Sequence, residues 1–153
     1  MAKFKPKGIK FMVLGDGEYL RNKKNELLKE GIIITGLLSP REVEEHYSSA
    51  DLLYFKLQYE WGEYCLALVE AMKCKLPILT DYSNVHTEIF GKERAFLIEK
   101  DTPPKNIIQK IIEIKENPKE LDLKKNLAYN YAINNFSKEK VINDLIEVIN
   151  KVN

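Results

Sequence analysis

The sequence predicts an α/β domain: a Rossmann-like parallel sheet of about five strands flanked by helices, with a C-terminal helical extension. Three observations lead there. Short apolar runs alternate with longer segments of helical periodicity from residue 10 to residue 98. The first two runs close on turn residues, Gly15-Asp16-Gly17 and Thr35-Gly36. Beyond Ile98 the apolar residues recur only at helical spacing. Strands separated by helices imply βαβ units, right-handed crossovers and a parallel sheet covered on both faces.

Lys10 to Leu14 reads as the first strand. Glu18 to Glu30 is an amphipathic helix with Leu20, Leu27 and Leu28 among charges, ended by Gly31. Ile32 to Ile34 is the second strand. Ser39-Pro40-Arg41-Glu42 starts a helix to about Ser49, with Ser as N-cap, Pro at the first helical position and Glu three residues after the Ser. Leu52 to Phe55 is the third strand, and the loop 56–63 leads to a helix over Tyr64 to Cys74. Pro77 to Thr80 and Ala95 to Ile98 are the fourth and fifth strands, with a short helix expected at Ser83 to Phe90. Pro103-Pro104 opens a helix carrying Ile107, Ile108, Ile111, Ile112 and Ile114, and Pro118 ends it and begins the next. Phe136-Ser137 precedes the last helix, where Val141, Ile142, Leu145, Ile146, Val148 and Ile149 repeat at helical spacing. A chain of 153 residues of this kind is one domain, residues 1–153.

Composition removes several function classes. A net charge of +1, from 24 basic and 23 acidic residues, gives no drive toward nucleic acid. No apolar run is long enough to span a bilayer, and the lysine-rich start has no apolar segment of the signal-peptide kind. Lys3, Lys5, Lys7 and Lys10 make a small basic patch, read either as a solvated end or as a weak peripheral contact with an anionic membrane. Cys65 and Cys74 lack zinc-ligand spacing, so no metal is expected, and two thiols fit a reducing, cytoplasmic setting.

The chemistry concentrates between Glu60 and Asp81. A carboxylate-bearing loop leads into a helix, and the helix into a strand that ends in polar residues. That order places acidic side chains and free N–H groups at the carboxyl edge of a parallel sheet, where open α/β sheets bind ligands. A helix start suits phosphate, and an ionised Glu70, an acceptor only, suits ribose hydroxyls. Glu70 also fits the solvent stripe of an amphipathic helix, and the local pattern leaves both open. Glu60 and Glu63, with Trp61 between them, fit either a ligand loop or a solvated one. Gly15-Asp16-Gly17 is part of a dinucleotide fingerprint, but position 20 is Leu, so a plain strand-to-helix turn is the simpler reading. His46 and His86 have no nucleophile or metal partner in the pattern.

Six segments in order resemble the C-terminal, donor-binding domain of family 4 glycosyltransferases of the GT-B fold. They are Phe11 to Gly17, Ile34 to Ser39, His46 to Asp51, Leu66 to Pro77, Asp81 with Val85 to Ile89, and Asn135 to Lys140. The resemblance implies half of a GT-B fold and transfer of a sugar from a nucleoside-diphosphate sugar to an acceptor hydroxyl, with retention and without a cofactor or required metal. It implies that Glu70 holds the ribose, that the backbone of Tyr64, Cys65 and Leu66 approaches the sugar and diphosphate, and that Gly36 and Leu37 line the base. The family's two motif glutamates stand eight positions apart, and eight before Glu70 is Gly62. The first role therefore falls to Glu63, counting from the helix, or to Glu60, counting from the strand.

The family's preceding strand, with its Arg and Lys for the diphosphate, has no counterpart before Lys10, and the acceptor-holding N-terminal domain is missing. A fragment, a truncated gene product or one half of a two-chain enzyme, with a partner chain carrying that domain, is expected, as is an isolated chain without turnover. The acceptor is expected to be a glycan, a lipid or a small molecule, in polysaccharide or glycolipid synthesis, with a location in the cytoplasm or at the inner membrane face. The competing reading is a non-catalytic nucleotide-sugar-binding or regulatory module.

Overall fold

The computed structural model describes residues 6–56, 66–81 and 91–152. Within these, the element order is β1 (Met12–Val13), α1 (Glu18–Lys29), β2 (Ile33–Ile34), α2 (Pro40–Ser49), β3 (Leu53–Phe55), α3 (Leu66–Lys73), β4 (Ile78–Asp81), β5 (Phe96–Ile98), α4 (Pro104–Glu116), α5 (Pro118–Phe136) and α6 (Lys138–Val152). The expected α/β alternation and the helical C-terminal third are both present. The helix expected at Ser83 to Phe90 lies outside the described residues.

All strand pairs are parallel, as expected. The single sheet, however, is divided. β1 pairs with β2, β3–β4–β5 form a second sheet with β4 in the middle, and no pairing joins β1 to β3 among the described residues. Burial follows the pairing. β4, flanked on both sides, is buried at all four residues, whereas β3 is only half-buried along its length.

The core explains which helix faces turn inward. Leu68, Ala71 and Met72 of α3 pack with Tyr47 of α2, Ile78 of β4 and Ala128 and Ala132 of α5, and Leu14, Leu53 and Phe55 pack against that cluster. On the opposite side Leu79, Phe96, Ile107 and Ile114 form a second cluster under α4. Two helix layers around β4 are what a strand buried at every residue requires. The small residues Ala128 and Ala132 let α5 approach α3 closely. By contrast α1, read as amphipathic, buries no residue fully. It covers only the two-stranded β1–β2 sheet, too narrow to close over its apolar stripe. The apolar face of α6, with Val141, Ile142, Leu145, Ile146, Val148 and Ile149, is also exposed.

Local signals settle the helix ends. α1 ends in a Schellman motif: Gly31, at φ +69°, donates its N–H to the Leu28 carbonyl, and Ile32 donates to Leu27. α2 begins with the capping box read from Ser39 and Glu42. α3 ends in the same motif as α1, but with Lys75 at φ +54° donating to Met72 and Leu76 donating to Ala71.

Candidate functional site

The site is built from what the chain does as it leaves each strand. After β1 and β2 it makes two turns that touch. Gly15 at φ +109° and Gly36 at φ +75° adopt backbone that L side chains rarely take. The Gly15 N–H donates to the Gly36 carbonyl at 3.0 Å. Thr35 ties both turns together: its hydroxyl lies 3.0 Å from the Gly36 carbonyl oxygen and 3.4 Å from that of Val13, and accepts from the Gly15 N–H at 3.3 Å. A Cβ built on either glycine would meet nothing within 4 Å. The two turns therefore present bare backbone to open space at the carboxyl edge. Leu37, next to Gly36, is 83% exposed. This is the segment the resemblance assigned to the base, and an exposed apolar side chain beside bare backbone is chemically able to cover a flat ring.

On the second sheet, α3 follows β3 and presents two unlike faces. Leu68, Val69, Ala71 and Met72 are buried, while Leu66, Glu70 and Lys73 fall on the exposed stripe at i, i+4 and i+7. Leu66, where the described part of the helix begins, is 70% exposed. Glu70 stands one turn further on, its carboxylate solvated. Together with the α2 carboxylate of Glu44 it lies near enough to Cys74 to help raise that thiol, though burial is the larger cause and a hydrogen bond with Ser48 opposes it. Lys73 leaves the stripe sideways and donates to the Phe136 carbonyl at 2.9 Å, fixing α3 to the end of α5.

Glu60, Glu63, Tyr64, Cys65 and Trp61 lie outside the described residues. Of the expected site residues the structure thus places Leu66 and Glu70 on one face of α3, and Gly36 and Leu37 on the turn after β2.

One polar feature at this edge was not singled out as a site residue. β4 closes on Thr80 and Asp81, both buried, Asp81 with only 2% exposure. Burial raises the Tyr54 phenol, and the Asp81 charge on the adjoining strand adds to that. A carboxylate is rarely buried this fully without a partner, and the Thr80 hydroxyl lies 3.5 Å from the Asp81 carboxylate. The signal was in the sequence, since an Asp directly closing an apolar run marks the residue that leaves the sheet. Among the described residues no group of three or more His, Cys, Asp or Glu could hold a metal ion. No described helix is long and apolar enough to cross a membrane.

Comparison with known proteins adds identity to this geometry. HepE of Anabaena, solved in complex with UDP, superposes with a TM-score of 0.82 at 15% identity, covering 98% of this chain and 43% of its own. The same protein in complex with UDP-glucose gives 0.82 at 16% identity, with the same coverage. TarM gives 0.73 at 19% identity, over 97% of this chain and 30% of its own. At such identities the likeness establishes the fold, half of a GT-B glycosyltransferase, and the chain spans less than half the length of these relatives. No curated protein sequence matches significantly. The family described as Glycosyl transferases group 1 matches residues 1–132, most of the chain. The chain therefore belongs to the glycosyl transferases group 1 family.

Proposed function

We propose that this chain is the donor-binding domain of a glycosyltransferase, holding a nucleoside-diphosphate sugar whose sugar passes to an acceptor hydroxyl. The observation that carries the reading is the pair of bare glycine turns after β1 and β2, beside an exposed Leu37, in a chain of this family. HepE, whose fold it shares, has been crystallised with UDP and with UDP-glucose, which makes a uridine nucleotide and a hexose the first candidates.

The residue roles proposed are those the family resemblance implies. Gly36 and Leu37 receive the base. Glu70, a solvated carboxylate on α3, accepts from the ribose hydroxyls. The backbone of Tyr64, Cys65 and Leu66 supplies N–H groups to the diphosphate, whose developing charge fixed dipoles stabilise as it leaves. Glu63, or Glu60, turns toward the sugar. Transfer proceeds with retention and needs no cofactor. A glycan, a lipid or a small molecule is the acceptor, in polysaccharide or glycolipid synthesis, in the cytoplasm or at the inner face of the membrane.

Catalysis needs the acceptor held in line with the anomeric carbon. The family resemblance assigns that position to a further domain, and the chain covers only 43% of HepE, which supports the reading that turnover takes a second half. Calorimetry of the purified chain with UDP, GDP, ADP and UDP-glucose is the direct test. A saturable heat with one base over the others is expected, and none with any of them would overturn the ligand assignment. Transfer of radiolabelled sugar at an ordinary enzymatic rate by the chain alone would overturn the need for a second half.

A further inference from the structure

Glycine has no side chain to restrain its own backbone, so a surface built on two glycines depends on what surrounds it. The β1–β2 sheet offers little restraint. Its ladder is two residues long, with Met12 opposite Ile33 and Val13 opposite Ile34. The ladder bond nearest the turns runs from the Thr35 N–H to the Val13 carbonyl at 3.2 Å. Beyond it Gly15 and Gly36 take positive φ, and the space where a Cβ would stand on either is empty to 4 Å. No neighbouring group wedges the turns in place on that side.

The Thr35 side chain supplies the restraint instead. A hydroxyl has one proton to give and two lone pairs. The Thr35 oxygen lies 3.0 Å from the Gly36 carbonyl oxygen and 3.4 Å from that of Val13. Val13 already accepts the Thr35 N–H, so the proton goes to Gly36. A lone pair of the same hydroxyl takes the Gly15 N–H at 3.3 Å, and that N–H also donates to the Gly36 carbonyl at 3.0 Å. The three groups close a triangle in which each is bonded to the other two. Among the described residues no other side chain bonds either glycine. The branch at Cβ limits rotation about χ1, so holding the hydroxyl there costs little entropy.

We propose that Thr35 is a positioning residue for the nucleotide: its hydroxyl fixes the two glycine turns as one preformed shelf and thereby sets the affinity. The role rests on the donor-binding reading above and deepens it, since it assigns a function to a side chain whose proton is engaged within the protein. Without the hydroxyl the turns keep one bond to each other and sample more backbone states. The ligand must then order them on binding, which weakens it.

Two substitutions in the full chain separate the hydroxyl from the rest of the side chain. Thr35→Val keeps the branched shape and removes the hydroxyl, and Thr35→Ser does the reverse. Calorimetry with UDP, corrected for the folded fraction read by urea unfolding, is expected to show binding about three- to tenfold weaker in Thr35→Val and within about twofold of the parent in Thr35→Ser. Amide hydrogen exchange of the ligand-free proteins is expected to be several-fold faster at Gly15 in Thr35→Val, with Leu79 in the core unchanged. A purely structural role would move Leu79 along with Gly15. Should Thr35→Val not fold, Thr35→Ala set against Thr35→Ser makes the same comparison. The proposal is overturned if the parent and Thr35→Val bind UDP equally, if Thr35→Ser loses as much as Thr35→Val, or if the Gly15 amide keeps its protection. A parent that binds UDP beside an unaffected variant removes the role of Thr35 alone, whereas a parent that gives no heat overturns the donor-binding reading itself.

Discussion

The amide of Gly15 donates to the carbonyl oxygen of Gly36 at 3.0 Å, across twenty-one residues of sequence. With the Thr35 hydroxyl, this bond holds the turn after β1 against the turn after β2, with both glycines at positive φ. Replacing Gly15 or Gly36 by Val is expected to cost about 1–3 kcal/mol from backbone strain alone, since space for the side chain is free. Urea unfolding reads that cost. If the turns receive the nucleotide, the Gly36 variant also loses UDP affinity beyond what its residual folded fraction explains.

Lys75 occupies the left-handed position that ends α3, at φ +54°, where glycine carries no Cβ penalty. Lys75→Gly is therefore expected to stabilise the domain by about 0.5–1 kcal/mol. The gain is reduced by losing the Lys75 ammonium from the Tyr129 ring, 4.6 Å away. A rise in the thermal midpoint checks it, and Lys75→Ala, which keeps the strain and removes the ring contact, should lower it.

Glu70 is solvated and makes no core contact, so its removal has little to do with stability. Glu70→Ala is expected to leave the unfolding midpoint within about 0.5 kcal/mol of the parent while weakening UDP binding by about tenfold, the worth of a charge-assisted hydrogen bond. Equal affinity in the two proteins, measured by calorimetry, would remove Glu70 from the ribose.

The capping box of α2 carries a pH signature. The Ser39 hydroxyl and N–H donate to the Glu42 carboxylate at 2.6 and 2.7 Å, and these bonds hold that carboxyl below its ordinary 4.5. A carboxyl lowered on folding stabilises above its unfolded value, and that stabilisation fades as pH falls through the folded value. Ser39→Ala is thus expected to cost about 1 kcal/mol at neutral pH, with the gap between variant and parent narrowing below pH 4.5. Parallel urea titrations at neutral and acidic pH measure it.

Cys74 tests the packing of α2 against α3. Burial, with Glu44 and Glu70 adding to it, pushes its thiol up. Its alkylation by iodoacetamide at pH 8, followed on the Cys74 peptide by mass spectrometry, is expected to be several-fold slower than for an unfolded chain. Equal rates would mean that α2 and α3 do not shield the thiol.

Among the described residues, the sequence by itself determined the elements, because their signals are local. A capping box, a left-handed glycine after a helix, prolines at helix starts and short apolar runs each act within a few residues. The Ser39 start of α2 and the Gly31 end of α1 are where the pattern put them. Family order along the chain was legible for the same reason, since it resides in short motifs. Which strands pair depends on neighbours distant in sequence, and only the tertiary structure decided it. The run at Leu53 to Phe55 has the composition of a buried strand, and burial came instead to β4, because a strand is buried only when both its edges and both its faces are covered. Likewise, the pattern of α3 allowed Glu70 either a solvated or a partnered place. The packing of Leu68, Ala71 and Met72 against α5 set the helix's rotation and sent that carboxylate outward.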